Sequence, residues 1–287
     1  MYKSKFSFLC AMGIFGTIGI FVKYIPLSSA FIAFFRGVIG AAFLIGLMLI
    51  TGQKPDMQAI RKNLPILFLS GAAIGVNWIL LFESYRYTSV ATATVCYYLA
   101  PLFLLLASPL LGERLTPKKL ICTGIALVGL IFVSGVIEGG LPDITEATGI
   151  LLGLGAAVLY ATVMFLNKKL SPIPAYDKTI LQLGSASLVL LPYLLLSGGF
   201  SLPQLSLMQW LLLGLVGILH TGIAYAMYFG AMKDLSAKTM AIFSYLDPVI
   251  AVILSAVILR ESMTLWGIIG TMLILGSALY SELPDRK

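Results

Sequence analysis

Long apolar runs, separated by short polar or Pro- and Gly-containing breaks, dominate the pattern of hydrophobic and polar positions along this chain. The hydrocarbon core of a bilayer requires about 20 predominantly apolar residues per helix. Counted against that length, the runs predict ten transmembrane helices, near residues 6–24, 28–51, 64–85, 90–111, 117–137, 147–170, 176–197, 207–230, 236–259 and 264–281. The basic N-terminus and the first run imitate a signal peptide, but no convincing small-residue cleavage site follows, so this run is interpreted as the first helix.

The composition is that of a polytopic, all-α membrane protein. Apolar residues make up 59% of the chain and charged residues 11%, against about 25% charged residues in a typical soluble domain. The mean hydropathy is +1.00. Cys10, Cys96 and Cys122 lie in apolar runs without metal-ligand spacing, and we interpret them as buried thiols. The sequence therefore predicts neither a metal site nor a cofactor.

The net charge of +7 is explained by the orientation of the chain in the membrane. If the N-terminus is cytoplasmic, fifteen of the 19 Lys and Arg residues fall in cytoplasmic segments. Lys23, Arg86 and Arg260 fall on the opposite side, and Arg36 falls inside the second predicted helix. Because cytoplasmic loops carry an excess of Lys and Arg, this distribution predicts that both termini are cytoplasmic. The basic surplus then gives no indication of nucleic-acid binding.

The two halves of the chain contain a repeated pattern. Identical residues align at a constant offset of 147 positions, in the pairs Gly75/Gly222, Phe82/Phe229, Ser89/Ser236, Thr92/Thr239, Tyr98/Tyr245, Leu99/Leu246 and Pro101/Pro248. The pattern predicts an internal duplication, with five helices in residues 1–142 and five in residues 143–287. An odd number of spans makes the second copy enter the membrane from the opposite side, so the repeats are predicted to be inverted. Inverted repeats are typical of alternating-access transporters that bind their substrate near the midplane.

The fourth helix of each half and the short segment after it carry a resemblance to a known family. The stretch "YRYTSVATATVCYYLAPLFLLLASPLLGERLT" and its repeat "KDLSAKTMAIFSYLDPVIAVILSAVILRESMT" resemble the EamA family of the drug/metabolite transporter superfamily. Each copy has a proline in its fourth helix and a Glu-x-x-Thr shortly after it. The resemblance implies a ten-helix carrier of the bacterial inner membrane, often an exporter of amino acids, related metabolites or drugs. One departure is that Ala100 stands where the second half has Asp247.

Pro101 and Pro248 predict a broken helix in each half. A proline removes a backbone donor and interrupts the helix, and broken helices near the midplane of both repeats indicate a transporter binding site. Ordinary proline kinks are the alternative. Asp247 lies nine residues after Lys238, about 14 Å along a helix, and therefore near mid-bilayer. We predict that Asp247 couples protons or pairs with a cation of the substrate; a structural hydrogen bond to proline-freed backbone is the alternative.

Two further ionisable residues are predicted at membrane depth. His220, the only histidine of the chain, lies near the middle of the eighth predicted helix, where titration near neutral pH suits proton coupling. An interhelical hydrogen bond is the alternative. Arg36 could hold a substrate carboxylate or a helix-terminal carbonyl. Glu113 and Glu261 occupy matching positions at opposite membrane exits and are interpreted as structural.

Polar and aromatic residues at comparable depth predict a central cavity. Asn77 and Trp78 lie halfway along the third predicted helix, and Tyr98 and Tyr245 lie in the fourth and ninth. A buried Tyr hydroxyl needs a partner or water, so a cavity lined mainly by the third, fourth, eighth and ninth helices is expected to hold a small amphipathic molecule. The predicted lining includes Asn77, Trp78, Tyr98, His220, Tyr245 and Asp247. The alternative is hydrogen bonding within a packed core.

A secondary transporter is the function that these features predict. The chain has no G-x-x-x-x-G-K-[ST] loop for ATP, and it has no H-E-x-x-H or G-x-S-x-G motif, so we predict that it is not an enzyme. The predicted partners are a small-molecule substrate, the lipid bilayer and, as a further hypothesis, protons. Alternating-access export is the main interpretation, and a channel or a lipid scramblase is the alternative.

Overall fold

A computed structural model describes residues 2–112, 116–139, 142–196, 205–232, 234–235 and 237–283, and all regular secondary structure in these ranges is helical. The first half contains α1 (Tyr2–Lys23), α2 (Ser29–Ile50), α3 (Met57–Tyr87), α4 (Val90–Tyr97), α5 (Ala100–Leu106), a 3₁₀ turn (Ser108–Leu111), α6 (Pro117–Val133) and α7 (Val136–Gly139). The second half contains α8 (Ile144–Lys168), α9 (Ala175–Leu196), α10 (Leu207–Gly217), a π-helical segment (Ile218–Ile223), α11 (Ala224–Met232), α12 (Ala237–Ser244), α13 (Leu246–Val257) and α14 (Leu265–Glu282).

Local capping sets the start of α3 and corrects one predicted boundary. The Asp56 carboxylate accepts hydrogen bonds from the backbone N–H groups of Gln58 and Ala59. These bonds satisfy donors that the first turn of a helix leaves without partners. The helix therefore begins at Met57 in a polar stretch, and Pro65 lies inside it. The start predicted near residue 64 was wrong, because apolarity alone marks the part of a helix that suits a bilayer and not where the helix is capped.

The helices that contain Pro101 and Pro248 are each interrupted. The first break separates α4 from α5 at Tyr98 and Leu99, and the second separates α12 from α13 at Tyr245. Each proline lies in the first turn after its break. A helix can accept proline there because the first N–H groups have no partner inside the helix.

Six helical segments of the described ranges are long and apolar enough to cross a bilayer. They are α1, α2, α3, α8, α9 and the continuous segment Leu207–Met232, which joins α10, the π-helical segment and α11. Shorter apolar helical segments cover Val90–Leu106, Ile242–Val257 and Leu265–Ser281. The protein is therefore an all-helical, multi-pass membrane protein.

The packing of the helices surrounds a central space. Helix α3 packs against α8 and α9, α2 packs against α9, and α1 packs against α11 and α13. Helices α6 and α14 pack against each other, and their side chains share an apolar cluster with residues of α4, α5 and α13. The largest buried cluster of apolar side chains involves α2, α3 and α9, with Leu44, Phe82 and Leu190 among its members. The long helix α3 packs against α2, α8 and α9 and thus connects helices of both halves.

Candidate functional site

A central cavity of about 530 Å³ lies between the helices of the two halves. One end is bounded by Gly19 of α1 and Tyr85 of α3, and the other reaches Asn167 of α8 and Lys178 of α9. We call these the Lys23 end and the Lys178 end, because Lys23 terminates α1 beyond the first boundary. Much of the wall is aromatic, and it includes Trp78, Tyr97, Tyr98, Tyr160, Tyr225 and Tyr245. The cavity can therefore accommodate a molecule that has both apolar and polar parts.

The two helix breaks meet at the wall of this cavity. Tyr98, at the first break, donates a hydrogen bond from its hydroxyl to Oδ2 of Asp247, at a distance of 2.5 Å. Asp247 lies in the first turn of α13, directly after the second break. The rings of Tyr98 and Tyr245 also approach each other, with centroids 6.2 Å apart. The ionisable side chain of Asp247 therefore connects the helix break of the second half to that of the first half.

Arg36 of α2 provides a buried cation on the same cavity. Its side chain is 6% exposed, and its Nε donates a hydrogen bond of 2.7 Å to Oγ1 of Thr221. The guanidinium carbon lies 4.2 Å from the ring centroid of Trp78, a cation–π distance. Thr221 belongs to the π-helical segment, and its hydroxyl contacts the carbonyl oxygen of Val216 at 3.3 Å. The irregular helix therefore provides the hydrogen bond that orients the guanidinium.

Asn77 lies beside Trp78 and connects α3 to α8. Its Nδ2 donates a hydrogen bond of 2.5 Å to the carbonyl oxygen of Ala156. The hydroxyl of Tyr97 lies 3.5 Å from the Asn77 Oδ1, and the Tyr97 ring stacks on Tyr160 with centroids 5.1 Å apart. Asn77 thus lines the cavity while it satisfies a helix carbonyl.

His220 and Pro248 lie outside the lining of the cavity. His220 is fully buried; its Nε2 is 2.8 Å from Oγ1 of Thr17, and its Nδ1 is 3.4 Å from the carbonyl oxygen of Leu215. The edge of its ring packs against Phe21. The expectation that His220 lines the cavity was therefore wrong. A π-helical turn contains more residues than an α-helical turn, so regular periodicity does not predict which way residue 220 points.

The cavity includes residues of α8 and α9 that the sequence interpretation missed. Gln182 donates from Nε2 to Oγ of Ser70 and to Oδ1 of Asn167, both at 2.7 Å. Lys178, which the sequence analysis assigned to a cytoplasmic segment, lies in the first turns of α9 and borders the cavity. The amide side chains inside apolar runs were a usable signal, since such groups need partners at membrane depth.

Glu261 closes a network at the Lys23 end. Its Oε1 forms an ion pair with Nζ of Lys23 at 2.8 Å. Its Oε2 accepts hydrogen bonds from the backbone N–H of Val90, at 2.8 Å, and from Oγ of Ser255, at 2.5 Å. The carboxylate therefore ties together the end of α1, the start of α4 and the end of α13. Its repeat counterpart Glu113 lies outside the described residues.

A second cavity of about 370 Å³ is lined in part by Lys23 of this network and by Tyr85. Because Tyr85 also lines the central cavity, its buried side chain separates the two spaces at this point. Within the described ranges, His, Cys, Asp and Glu form no group of three or more that could hold a metal ion. The polar groups of the site are thus organised around hydrogen bonds and charge.

A multi-pass helical protein with an aromatic-lined, charged cavity at its centre has the architecture of a membrane transporter. The chain belongs to the EamA-like transporter family, whose model matches residues 3–135 and 147–281. It is 32% identical to the uncharacterized transporter YxxF of Bacillus subtilis over 267 residues, which cover 92% of this chain and 84% of that protein. It is 25% identical to the uncharacterized inner membrane transporter YicL of Salmonella typhimurium, over 99% of this chain and 97% of that protein.

The fold is also similar to that of a solved structure. A crystal structure described only as that of a protein superposes with a TM-score of 0.67 at 21% identity, and the match covers 97% of this chain and 96% of the other. At this level of identity the similarity concerns the fold alone.

Proposed function

We propose that the chain is a secondary transporter that moves small molecules by alternating access. In this proposal ten transmembrane segments form two inverted five-helix repeats, residues 1–142 and 143–287. The separate family matches to residues 3–135 and 147–281 support the two units, as does the 147-residue offset between Pro101 and Pro248. In this count, the interrupted pair α4 and α5 forms one span, and so does the pair α12 and α13. The continuous segment Leu207–Met232, which contains the π-helical turn, also forms one span.

The observation that carries the proposal is the hydrogen bond between Tyr98 and Asp247. It joins the two helix breaks, one from each half, at the wall of a cavity large enough for a metabolite. In alternating access, one repeat moves relative to the other around a site of this kind. A bond between the halves at the break points would be made or lost as the two repeats rearrange. The proposed substrate-binding residues are Arg36, Asn77, Trp78, Tyr98, Pro101 and Tyr245, all of which line the cavity. Pro248, predicted from the sequence as a further binding residue, lies outside the lining and is proposed only to interrupt the helix beside the site.

Export from the cytoplasm is the direction that we propose. With both termini cytoplasmic, as the distribution of Lys and Arg favours, the Lys178 end faces the cytoplasm. The central cavity extends to that end, whereas the Glu261 network ties the helices together at the other. A cytoplasmic substrate such as an amino acid or a drug-like compound could load from the Lys178 end. The proposed location is the bacterial inner membrane.

Asp247 is proposed to couple this transport to protons. A carboxylate that lines a cavity inside the bilayer is costly and is a functional candidate by default. Binding of a proton on one side and its release on the other would link the protonation of Asp247 to the alternation of the cavity. His220, the second predicted coupling residue, lacks contact with the cavity and is the weaker candidate.

The proposal is tested with Asp247→Asn in proteoliposomes. A substrate is first found by thermal-stabilisation screening, since a ligand that binds the native state raises its apparent stability. The variant should still exchange that substrate across the membrane but should lose accumulation driven by a pH gradient, because Asn keeps the shape and cannot titrate. Asp234→Asn is the matched control, because Asp234 is exposed and contacts Ser4 outside the cavity.

Three results would count against parts of this proposal. Full gradient-driven accumulation by Asp247→Asn would remove Asp247 from coupling. Loss of binding in the variant would assign Asp247 to a cationic group of the substrate instead. Flux that neither saturates nor responds to competitors would overturn the carrier mechanism and favour a channel, and lipid movement without solute transport would favour a scramblase.

A further inference from the structure

Among the residues that the structure describes, no carboxylate forms an ion pair with the buried cation of Arg36. A guanidinium removed from water is costly unless it is paired and its N–H groups are bonded. Among the described residues, Arg36 makes one side-chain hydrogen bond, from Nε to Thr221, and forms no ion pair. Its terminal Nη1 and Nη2 groups make no hydrogen bond within those residues. The site therefore contains unused donors of the type that binds planar anions.

The surroundings hold Arg36 in place without neutralising it. Thr221 fixes Nε, and the face of Trp78 supports the guanidinium plane from 4.2 Å. The ring centroid of Phe82 lies 5.9 Å from the guanidinium carbon. These contacts with a hydroxyl group and with aromatic rings orient the guanidinium but do not neutralise its positive charge. A pre-oriented guanidinium is well suited to bidentate recognition, because little conformational entropy remains to be lost.

We propose that the transported substrate carries a carboxylate, and that this carboxylate binds the Nη groups of Arg36. The inference rests on the proposed transport function and specifies the chemistry of its substrate. A carboxylate matches the planar fork of arginine through two parallel hydrogen bonds. The apolar part of the substrate packs against the neighbouring rings of Trp78, Tyr97 and Tyr225, which line the same cavity.

The balance of charge in the cavity favours a monoanion over a phosphate ester. Arg36 and Asp247 line one cavity and carry opposite formal charges. A phosphate monoester with about two negative charges at neutral pH would bring excess negative charge beside Asp247. A single carboxylate adds only one negative charge to the cavity that Arg36 and Asp247 share, so Asp247 repels it less than it would repel a phosphate ester. Lys178 at the opposite end of the cavity adds a positive charge at the mouth through which such an anion would enter.

The test uses three probes that share one apolar body: 3-phenylpropanoate carries only a carboxylate, 2-phenylethylamine only an amine, and phenylalanine both. Binding to the purified full-length protein is measured by calorimetry, and transport is measured by exchange in proteoliposomes. Wild type should bind 3-phenylpropanoate or phenylalanine and should not bind 2-phenylethylamine. Binding of both carboxylates would indicate an organic acid as the substrate, whereas binding of phenylalanine alone would indicate an amino acid.

Arg36→Gln and Arg36→Lys then test the residue itself. Arg36→Gln removes hydrogen bonds between charged groups, so it should raise the dissociation constant of the carboxylate about tenfold to a hundredfold. Arg36→Lys keeps the charge without the planar fork, so it should lie between the wild type and Arg36→Gln. Arg61→Gln, at an exposed position of α3, is the matched control and should leave binding unchanged.

The outcomes separate this inference from the transport function. Binding and transport of 2-phenylethylamine alone, with no effect of Arg36→Gln, would overturn the carboxylate site while leaving a transporter. Failure of all three probes to bind the wild-type protein would also overturn the inference. Absence of transport for every compound found in the stabilisation screen would instead overturn the proposed function. The wild-type comparison of the probes remains decisive even if Arg36→Gln fails to fold.

Discussion

Arg36 and His220 are both buried basic residues, but only Arg36 lines the central cavity, because the two side chains have different neighbours. Arg36 bonds to Thr221, the residue that directly follows His220, and it lines the central cavity. His220 points away from the cavity to Thr17 of α1 and to the carbonyl oxygen of Leu215. With both ring nitrogens near polar partners and no exposed surface, His220 has the environment of a residue that joins helices.

This environment predicts that His220→Gln preserves proton coupling. The glutamine amide can replace one hydrogen bond of the imidazole, so we expect a loss of about 1 kcal/mol in stability, typical of one buried hydrogen bond. Accumulation driven by a pH gradient should persist, in contrast to Asp247→Asn. Thermal unfolding and gradient-driven uptake on the same preparation provide the two measurements. Loss of accumulation with intact substrate exchange would return the coupling role to His220.

Several polar and aromatic residues of the cavity could be predicted from their depth in an apolar run. Asn77, Trp78, Tyr98 and Asp247 were found because polar or aromatic groups near mid-bilayer need a reason to be there, and the structure places them on one cavity. Which of them bind substrate remains a prediction. The direction of His220 could not be predicted, since it depends on the π-helical segment, for which the residues of that segment give no local signal.

At the scale of elements, the close contact between α1 and α13 determines how the Lys23 half of the cavity is closed. A Cβ at Gly16 would lie 2.6 Å from the carbonyl oxygen of Asp247 and 2.9 Å from Cβ of Ile250. The first of these atoms belongs to the backbone and cannot move by a change of rotamer. A Cβ at Gly13, on the same helix, would lie 3.8 Å from Cδ1 of Ile250, an ordinary contact.

The difference between these glycines predicts opposite effects of the same substitution. Gly16→Ala should destabilise the protein by about 1–3 kcal/mol, the typical cost of forcing extra volume into a packed core. Gly13→Ala should be neutral or slightly stabilising, since alanine favours a helix over glycine. Thermal unfolding of the two variants in one detergent compares them directly. Equal midpoints would show that α1 and α13 separate easily at Gly16.

The positions of the helix breaks could be predicted from the two prolines, whereas the first and last residues of the helices were harder to predict. Pro101 and Pro248 indicated two irregular points, and the structure interrupts the helices just before each of them. The early start of α3 depends on the Asp56 cap, which lies outside the apolar run. Contributions of α8 and α9 to the cavity depend on helix packing, which the hydropathy of a single segment does not encode.

At the scale of the whole molecule, the two ends of the central cavity differ. Glu261 joins three helices at the Lys23 end through an ion pair to Lys23 and a hydrogen bond from Val90 N–H. The residue before it, Arg260, has a φ of +55°, a left-handed conformation that is uncommon for residues other than glycine. Such strain persists only where the surrounding contacts maintain it. For a carrier that alternates, this network would have to open.

Glu261→Gln is therefore predicted to favour opening at the Lys23 end. Glutamine has nearly the same shape but cannot pair with Lys23, and the loss of a partly exposed ion pair of about 1 kcal/mol shifts a two-state population about fivefold. Opening is measured with a single cysteine at Ala251, which lines the cavity, after Cys10, Cys96 and Cys122 are replaced. An impermeant thiol reagent outside intact cells should modify this cysteine several-fold faster in Glu261→Gln than in the otherwise identical protein.

Glu83→Gln provides the control for this measurement, because Glu83 lies at the same end but, within the described ranges, its polar partners are Ser29 and Arg86. These contacts join α2 to α3 and involve neither α4 nor α13, so the labelling rate should not change. An equal increase in both variants would indicate a general loosening of the Lys23 end and would remove the specific role of Glu261. Rapid labelling from outside in the protein that carries the Ala251 cysteine but keeps Glu261 would place the Lys178 end outside the cell, contrary to the proposed orientation. Slow labelling that Glu261→Gln leaves unaltered would mean that the packing of α1 on α13, rather than the ion pair, keeps this end closed.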